Sequence, residues 1–333
     1  MRRLAWFLLS LAVVGGAAFV TLFLVTRGDY PVAALVTDDP TLPQDEVAGI
    51  TLHLERLEGP EGAETVIVLH GGPGGDFRSL RALEALSATH HVVFYDQRGA
   101  GLSERVDPAR LTLDGYLDEL GGVIERVSPD CPVWLVGHSW GAMLATAYLG
   151  HAPEQVSGAV LIEPGYLDAA GRAAWVAQSG AYLSGPAYWR AALLNGFRAA
   201  HVTGPDPAAS DDFLIGRMVR AFAGHPENPY HCGEGYGAPG WRFGAAASES
   251  WSHAPDAEVD RIAQGTYFAG PVLLVAGACN HWTGSPLQRR HADRFPRGRL
   301  AVVEGAGHDV VWDNPAVTLT LIRDFLAGEG AGS

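Results

Sequence analysis

Gly137-His138-Ser139-Trp140-Gly141 is the stretch of sequence that decides the fold. It has the form Gly-x-Ser-x-Gly, it follows the apolar run Val133-Trp134-Leu135-Val136, and it precedes the helix-forming residues Ala142-Met143-Leu144-Ala145. In such a strand-turn-helix setting the glycines permit close contact between strand and helix, and the sharp turn lifts the serine hydroxyl out of the sheet. The pattern therefore predicts that Ser139 is a nucleophile rather than a structural serine in a glycine-rich turn.

A second glycine-rich loop, His70-Gly71-Gly72-Pro73-Gly74, also follows an apolar run. Acyl transfer needs hydrogen-bond donors for the oxyanion that forms in the transition state. Glycine lets the backbone approach a substrate without a Cβ in the way. We predict that the backbone amides of Gly71 or Gly72 and of Trp140 are these donors. The alternative is a tight turn that binds nothing.

A histidine follows the last apolar run, in Gly305-Ala306-Gly307-His308. A general base must reach the serine hydroxyl, and a glycine-flanked loop at a strand end can deliver one. We therefore predict His308 as the base, which gives the order serine, acid, histidine along the chain. The histidines of the two glycine-rich loops, His70 and His138, are expected to orient or support those loops.

Short apolar runs alternate with helical stretches along much of the chain. Such runs are typical of strands buried on both faces of a parallel sheet, and the alternation predicts a doubly wound α/β sheet. Functional groups in such sheets lie at the carboxyl ends of the strands, where both loops and His308 occur. The predicted strands are residues 50–57, which alternate and are expected to be antiparallel, and residues 65–69, 91–95, 133–136, 159–162, 272–275 and 300–303.

One long interval, residues 165–268, breaks this alternation. It is rich in Ala, Trp, Tyr and Gly, and it contains no strand-like run. We predict a mostly helical cap inserted between two strands of the sheet. The helical patches within it are residues 169–176, 188–200 and 213–223.

The N-terminal segment is apolar enough to cross a membrane. Arg2 and Arg3 precede an uncharged, mostly apolar run over residues 4–26, and a helix of roughly 20 such residues spans a bilayer. Such arginines stay in the cytoplasm, which predicts a single-pass cell-membrane protein with an extracytoplasmic catalytic domain. The alternative is a cleaved signal peptide, with Gly16-Ala17-Ala18 as the cleavage site, and a secreted enzyme. The predicted segments are a transmembrane anchor (1–27), a linker (28–48), the first part of the core (49–164), the cap (165–268) and the second part of the core (269–328).

Net charge and cysteine content restrict the partners of the chain. Its 333 residues carry a formal net charge of −14, and a surface that acidic repels phosphate backbones, so no nucleic-acid binding is expected. The sequence contains no metal-ligand cluster, phosphate-binding loop or dinucleotide motif, so no metal or cofactor is predicted. Of the three cysteines, one pair such as Cys232 and Cys279 could form a disulfide if the domain is extracytoplasmic. The oligomeric state is not decided.

Three motifs together resemble the proline iminopeptidase branch of the α/β hydrolases: the two glycine-rich loops quoted above and Asp96-Gln97-Arg98-Gly99. The resemblance covers residues 50–165 well and 270–326 more loosely. It implies the α/β-hydrolase fold, a mostly parallel doubly wound sheet with an inserted helical cap, preceded here by the transmembrane helix. It also implies a serine hydrolase with an acyl-enzyme mechanism, in which Asp96 and Arg98 hold loops rather than react.

The third member of the catalytic triad departs from the family pattern. The family usually has an Asp three residues beyond the Gly that ends the strand near residue 276, whereas this chain has Asn280 there. An Asn can orient an imidazole but cannot stabilise an imidazolium by charge. Glu163 ends the preceding strand, a place where some α/β hydrolases carry the acid, and we prefer it.

The substrate is left open among three interpretations. The resemblance favours an aminopeptidase that removes a small N-terminal residue, often proline, from short peptides. Family peptidases bind the free amino terminus with acidic cap residues, for which Glu234 and Glu249 are candidates, although either could be a solvated surface charge. The alternatives are a carboxylesterase or lactonase on small esters, and an inactive hydrolase fold that binds a ligand or partner. An amine-binding acidic pair in the pocket would favour the first, and an all-apolar pocket the second.

Overall fold

Eight strands form one sheet in the computed structural model, which describes residues 2–233 and 236–328. They are Gln44–Val47 (β1), Ile50–Leu57 (β2), Thr65–Leu69 (β3), His91–Tyr95 (β4), Val133–His138 (β5), Val156–Ile162 (β6), Val272–Gly277 (β7) and Gly298–Val303 (β8). Their order in the sheet is β1-β2-β4-β3-β5-β6-β7-β8. The pairs β1–β2 and β2–β4 are antiparallel, and every other neighbouring pair is parallel.

The central strands form where the sequence is continuously apolar. Every residue of β3, β5 and β7 is buried, as expected for parallel strands that are covered on both faces. The predicted mostly parallel, doubly wound sheet is therefore confirmed, and its strands extend each predicted run by at most three residues. The first predicted strand is antiparallel, as expected.

Helices cover both faces of the sheet. On one face of the sheet, a hydrophobic cluster contains residues of a 3₁₀ segment, Phe77–Ala88, and of the C-terminal helix. On the other face, a second cluster contains residues of the helices that precede and follow β5. The helices are Arg2–Val25 (α1), Leu113–Val127 (α2), Trp140–His151 (α3), Ala169–Ser179 (α4), Gly185–Ala199 (α5), Ala209–Ala223 (α6), Ala245–Ser252 (α7), Asp256–Asp260 (α8), Ser285–Ala292 (α9), Val310–Asp313 (α10) and Pro315–Leu326 (α11).

The insertion between β6 and β7 contains α4 to α8 and, among its described residues, no strand. The three helical patches expected from the sequence correspond to α4, α5 and α6. The shorter helices α7 and α8 were not predicted, because a helix of one or two turns leaves little periodicity to detect. The domain boundaries assigned to the cap stay a prediction.

The first helix, α1, has the length and composition of a membrane span over Trp6–Val25, and none of that window is buried. A signal sequence has the same properties, so the helix supports both N-terminal interpretations. Its exposure excludes the use of α1 as a core helix of the body.

The predicted linker, residues 28–48, is not a free linker. Leu35 and Val36 are 3% and 2% exposed, the Ala33 carbonyl oxygen accepts a hydrogen bond from the Arg242 side chain at 2.9 Å, and β1 forms an edge of the sheet. Strand β1 was not predicted from the sequence because its four residues are too few to show an alternating pattern among prolines and acids. The segment belongs to the body of the protein.

A disulfide joins Cys232 in the insertion to Cys279 in the loop after β7, with their Cα atoms 5.0 Å apart. The pairing considered from the sequence is therefore formed, while Cys131 is free and exposed. The bond ties the insertion to the loop that carries Asn280.

Candidate active site

Ser139 lies in the turn between β5 and α3 with φ 52° and ψ −113°, a left-handed backbone conformation that is rare for a residue with a side chain. The flanking glycines are required by contact: a Cβ on Gly137 would lie 2.3 Å from the Gly141 carbonyl oxygen, and a Cβ on Gly141 would lie 2.1 Å from the Leu69 carbonyl oxygen. The Ser139 N–H donates to the Ile162 carbonyl at 2.8 Å. The turn therefore presents the Ser139 side chain at the carboxyl ends of the strands.

His308 and Glu163 meet at the same edge of the sheet. The Nδ1 atom of His308 lies 2.9 Å from Oε2 of Glu163, which is fully buried just after β6. The His308 N–H donates to the Tyr230 carbonyl at 2.7 Å, and the two rings stack with centroids 4.4 Å apart. Tyr230 therefore fixes both the backbone and the ring plane of His308.

Asn280 contacts the acid instead of the histidine. Its amide Nδ2 donates to Glu163 Oε2, and its Oδ1 accepts the N–H groups of Trp282 and Thr283 at 2.9 and 3.0 Å, which sets the orientation of the amide. The Thr283 hydroxyl donates to the same Glu163 oxygen at 3.2 Å and lies 3.4 Å from His308 Nδ1. Of the two candidate acids, Glu163 is thus the one within hydrogen-bond distance of the imidazole.

Burial shifts both titrating groups of this pair toward neutrality. It lowers the pKa of the His308 imidazole to about 4, although the Asp309 carboxylate beside it acts in the opposite direction. It also raises the pKa of the Glu163 carboxyl, against hydrogen bonds donated by the Gly277 N–H, at 2.8 Å, and by Asn280 and Thr283. The Gly277 N–H and the Asn280 Nδ2 group can only donate hydrogen bonds, so the surroundings of Glu163 favour an acceptor. We therefore take the Glu163 side chain as an ionised carboxylate.

Ser139 and His308 line one cavity. Among the described residues no hydrogen bond joins the Ser139 hydroxyl to the imidazole. Such bonds are often long without substrate and tighten in the complex, so this geometry does not exclude proton transfer.

The two glycine-rich loops meet beside the nucleophile. A Cβ on Gly71 would lie 3.2 Å from the Ser139 Cβ, so only a glycine backbone fits this close to the turn. Gly72 adopts φ +136°, a conformation accessible only to glycine, and lines the same cavity. Trp140 is the first residue of α3, where a backbone N–H has no partner within the helix. The three amides predicted as oxyanion donors are therefore close together in the structure.

Gln97 links these loops, although nothing in the sequence singled it out. Its N–H donates to His70 Nε2 at 2.9 Å, its amide donates to the His70 carbonyl at 3.1 Å, and its Oε1 accepts the indole N–H of Trp140 at 2.8 Å. The His70 ring thus makes only backbone contacts, its Nδ1 bonding the Gly71 carbonyl at 2.8 Å. His138 likewise donates from Nε2 to the His308 carbonyl at 2.9 Å.

The motif that contains Gln97 is rigidly held on both sides. Asp96 is fully buried and accepts the N–H groups of Phe77 and Leu102 at 3.1 and 2.8 Å. Arg98 forms a buried ion pair with Glu119, with Nε and Oε2 3.1 Å apart. Neither Asp96 nor Arg98 lines the cavity, which agrees with the loop-holding role that the resemblance implied.

A family model described as "alpha/beta hydrolase fold" matches residues 64–315, which is more than half of the chain. The chain belongs to the α/β-hydrolase family. The fold class expected from the sequence is thus confirmed, together with the likeness to proline iminopeptidases.

The named relatives of this chain differ in function. A proline iminopeptidase from Heyndrickxia coagulans is 37% identical over 120 residues, but the match spans only 36% of this chain and 41% of that protein. A putative non-heme bromoperoxidase from Mycobacterium tuberculosis is 28% identical over 263 residues, covering 77% of this chain and 90% of the relative. A solved structure, a proline iminopeptidase-related protein from Thermus thermophilus, has a TM-score of 0.58 at 24% identity and covers 85% and 96% of the two chains. This last likeness shows a shared fold.

The cavity has a volume of about 820 Å³ and lies between the sheet and the insertion. The insertion contributes large aromatic and aliphatic side chains to its wall, namely Trp175, Leu183, Tyr188, Phe213, Ile215, Met218, Val219, Phe222, Tyr230, Tyr236, Trp241 and Phe243.

The acidic side chains of the cavity are mostly engaged. Asp76 accepts hydrogen bonds from three backbone N–H groups. Asp212 pairs with Arg105 and Arg242, at 3.0 and 2.7 Å. Only Asp309, next to the catalytic candidate His308, has a carboxylate that makes no hydrogen bond within the described part of the chain. The cavity therefore offers no acidic pair among its described residues.

Of the two acids proposed for amino-terminus binding, the structure describes only Glu249, and it lies outside the cavity. Glu249 is exposed on α7 and does not line the cavity, because the helix turns this position toward solvent. Glu234 lies outside the described residues. Two exposed arginines of α6, Arg217 and Arg220, line the cavity instead.

Proposed function

We propose that this α/β hydrolase is a serine hydrolase with Ser139 as nucleophile, His308 as general base and Glu163 as the acid of the triad. The observation that carries the proposal is the 2.9 Å contact between Glu163 and the His308 ring, in the cavity that Ser139 also lines. Nucleophile, base and orienting acid are the three parts that acyl transfer through serine requires.

The reaction follows from these positions. The Ser139 Oγ attacks the substrate carbonyl carbon while His308 Nε2 takes the hydroxyl proton, and the N–H groups of Trp140 and of Gly71 or Gly72 bind the oxyanion. The intermediate collapses, His308 gives its proton to the leaving group, and an acyl-serine remains. Water then attacks the acyl-serine with the help of the same base, and the acid product leaves.

Glu163 acts through the imidazole. Its carboxylate binds Nδ1–H, which leaves the other ring nitrogen free to accept the serine proton, and it stabilises the imidazolium that forms. Asn280 and Thr283 are positioning residues because they hold the carboxylate through hydrogen bonds. The interpretation as an inactive fold rested on the missing Asp, and a carboxylate at Glu163 removes that support.

The substrate best supported is a carboxylic ester with a sizeable apolar group. Large aromatic and aliphatic side chains of the insertion line the cavity, and two of its acids are already bound by arginines or backbone N–H groups. An ammonium group would need unpaired carboxylates at a fixed distance from Ser139, whereas an acyl chain needs only apolar surface.

Aminopeptidase activity of the proline iminopeptidase type is the second candidate. It is favoured by the 37% identity to such an enzyme over 120 residues, and by the free Asp309 carboxylate on the cavity wall. A comparison of kcat/KM for prolyl p-nitroanilide and for p-nitrophenyl esters of increasing acyl length decides between the two. We expect the esters to be preferred and their kcat/KM to rise with chain length. Preference for the prolyl amide would reverse the assignment.

The position of the acid limb of the pH profile is expected to depend on Glu163. His308 must be neutral to accept a proton; burial lowers the pKa of its imidazole, whereas an ionised Glu163 carboxylate 2.9 Å from Nδ1 raises that pKa. Removal of the charge in Glu163→Gln should therefore move the acid limb to lower pH. The measurement is kcat/KM for a non-titrating ester across acid and neutral pH in the parent chain and the variant. A limb at the same pH in both would contradict an ionised Glu163 beside His308.

We further propose that α1 anchors the enzyme in the membrane with the catalytic domain outside the cytoplasm. The exposure of α1 along its whole apolar window and the disulfide Cys232–Cys279 support this, because disulfides persist in oxidising compartments.

Removal of residues 1–27 is expected to give a soluble enzyme with an unchanged rate on a water-soluble ester. The segment contributes little to the core: Thr26 is its only residue below 9% exposure among those described. Gel filtration, thermal melting and ester hydrolysis, each compared with the full chain in detergent, test this. If the truncated chain cannot fold, α1 is a structural part of the body and the anchor assignment fails.

A further inference from the structure

Helix α5 of the insertion exposes large apolar side chains. Trp189 and Leu193 are 64% and 52% exposed, and their spacing of four residues puts them on one face of the helix. Val176, in α4, and Leu183, between α4 and α5, are also exposed, at 54% and 43%. Large apolar side chains exposed in one part of a fold often mark a surface that binds something apolar. We call Val176, Leu183, Trp189 and Leu193 the apolar face.

The apolar face is continuous with the membrane helix. Phe197, at the C-terminal end of α5, packs against Phe19 of α1 with ring centroids 5.1 Å apart. One turn farther, the His201 Nε2 donates to the Phe23 carbonyl at 2.8 Å, and the two rings are 4.3 Å apart. Because Phe19 and Phe23 lie within the candidate span, α5 meets α1 at a level that a bilayer would surround.

The charge of this region differs from that of the rest of the protein. The sequence contains 37 acidic residues, yet none occurs between Asp168 and Asp206, a segment that holds α4 and α5. The charged side chains there are Arg172, Arg190 and Arg198. Arginine beside exposed apolar residues suits an anionic lipid surface, where the charge reaches the headgroups.

The catalytic cavity opens next to the same surface. Leu183 belongs to both the apolar face and the cavity wall, and Tyr188 of α5 also lines the cavity. Pro31 and Val32, which follow α1 after a few residues, line it as well. Five residues lie between Val25 and Pro31, so at most roughly 20 Å of chain joins the end of the span to the cavity.

We propose that the apolar face lies on the bilayer surface beside α1, so that the cavity receives acyl-chain amphiphiles directly from the membrane. The occupant of the face is a lipid bilayer, and the substrate class is a lipid-like carboxylic ester. The proposal rests on the proposed membrane anchoring and ester hydrolysis, and its first test does not depend on catalysis.

The first test places an environment-sensitive fluorophore on the face. Full-length chain with Cys131→Ser and Leu193→Cys is labelled with nitrobenzoxadiazole and reconstituted in phosphatidylcholine–phosphatidylglycerol vesicles. The matched control is Tyr267→Cys in the same background, since Tyr267 is 84% exposed but lies just before β7, at the amino end of that strand. The label at 193 is expected to emit at shorter wavelength than the control and to be quenched by spin-labelled lipids.

Two results of this test would overturn the proposal. An emission at 193 like that of water and of the control would mean that the face is solvated. A shielded label that spin-labelled lipids do not quench would mean that a second copy of the chain covers the face. Neither result depends on Ser139, so failure here is distinct from failure of the proposed function.

The second test compares substrates. In the same vesicles, the double variant Trp189→Glu, Leu193→Glu should hydrolyse a long-chain ester dissolved in the bilayer about tenfold more slowly, because charge on the face opposes contact with the membrane. Its rate on a water-soluble butyrate ester should be unchanged, which also shows that it is folded, and Tyr267→Glu should change neither rate. Equal rates of the double variant and the parent chain on the bilayer-dissolved ester would contradict the proposal. A variant that loses both activities is replaced by the single changes Trp189→Gln and Leu193→Gln, for which the same selective loss is required.

Discussion

Replacing Ser139 with alanine is expected to abolish hydrolysis while leaving the fold intact. The change removes only the hydroxyl that attacks the substrate, and loss of the equivalent serine in a triad protease lowers kcat by about six orders of magnitude. The measurement is turnover of a p-nitrophenyl ester by parent and variant, together with thermal melting to show that both are folded.

A matched control and a chemical probe sharpen this test. Ser157→Ala changes a serine at the opposite end of β6 from Glu163 and should leave the rate unaltered. A serine-directed organophosphorus probe should label the parent chain at Ser139 alone. Labelling at another residue, or full activity of Ser139→Ala, would refute the assignment of the nucleophile.

Replacing Glu163 with glutamine is expected to lower kcat by at least several hundredfold. Glutamine keeps the size of the side chain but removes the charge that stabilises the His308 imidazolium, and loss of the triad acid costs about four orders of magnitude in a well-studied protease. The full loss need not appear here, because the Thr283 hydroxyl lies 3.4 Å from the same ring nitrogen. The readout is kcat on an ester, with KM expected to change much less.

Variants at Asn280 distinguish the two candidate acids. Asn280→Ala should cost much less than Glu163→Gln, because Asn280 touches the carboxylate and not the imidazole. Asn280→Asp should lower activity as well, since it places a second carboxylate against Glu163 and removes a donor. A gain of activity in Asn280→Asp would mean that position 280 carries the triad acid.

The strands could be predicted from the sequence because a parallel sheet is buried on both faces. Each strand is therefore a continuous apolar run, which can be recognised without knowing the tertiary contacts. Ser139 and His308 could be proposed as nucleophile and base for a related reason: both lie in glycine-flanked loops at strand ends. Glu163 could be proposed from its position after β6, but its contact with His308 required the relative placement of two distant loops.

Other parts of the site leave no local signal. Gln97, Tyr230 and Thr283 act through hydrogen bonds or ring contacts to residues far away in sequence. The packing of residues 28–48 against the body was not predicted, because it depends on one four-residue strand and a few buried side chains. The acids proposed for substrate binding were chosen by type, and side-chain direction on a helix decides whether such a residue meets the cavity.

Two of the three residues proposed for the triad share an unusual backbone conformation. Ser139 has φ 52° and Glu163 has φ 49°, and they follow neighbouring strands of the sheet. Such conformations cost about 1–3 kcal/mol each in residues other than glycine, out of a total stability of about 5–15 kcal/mol for a typical protein. Activity and stability therefore oppose each other at these positions. Glycine at either position would relieve this backbone strain but would remove a side chain on which the proposed reaction depends.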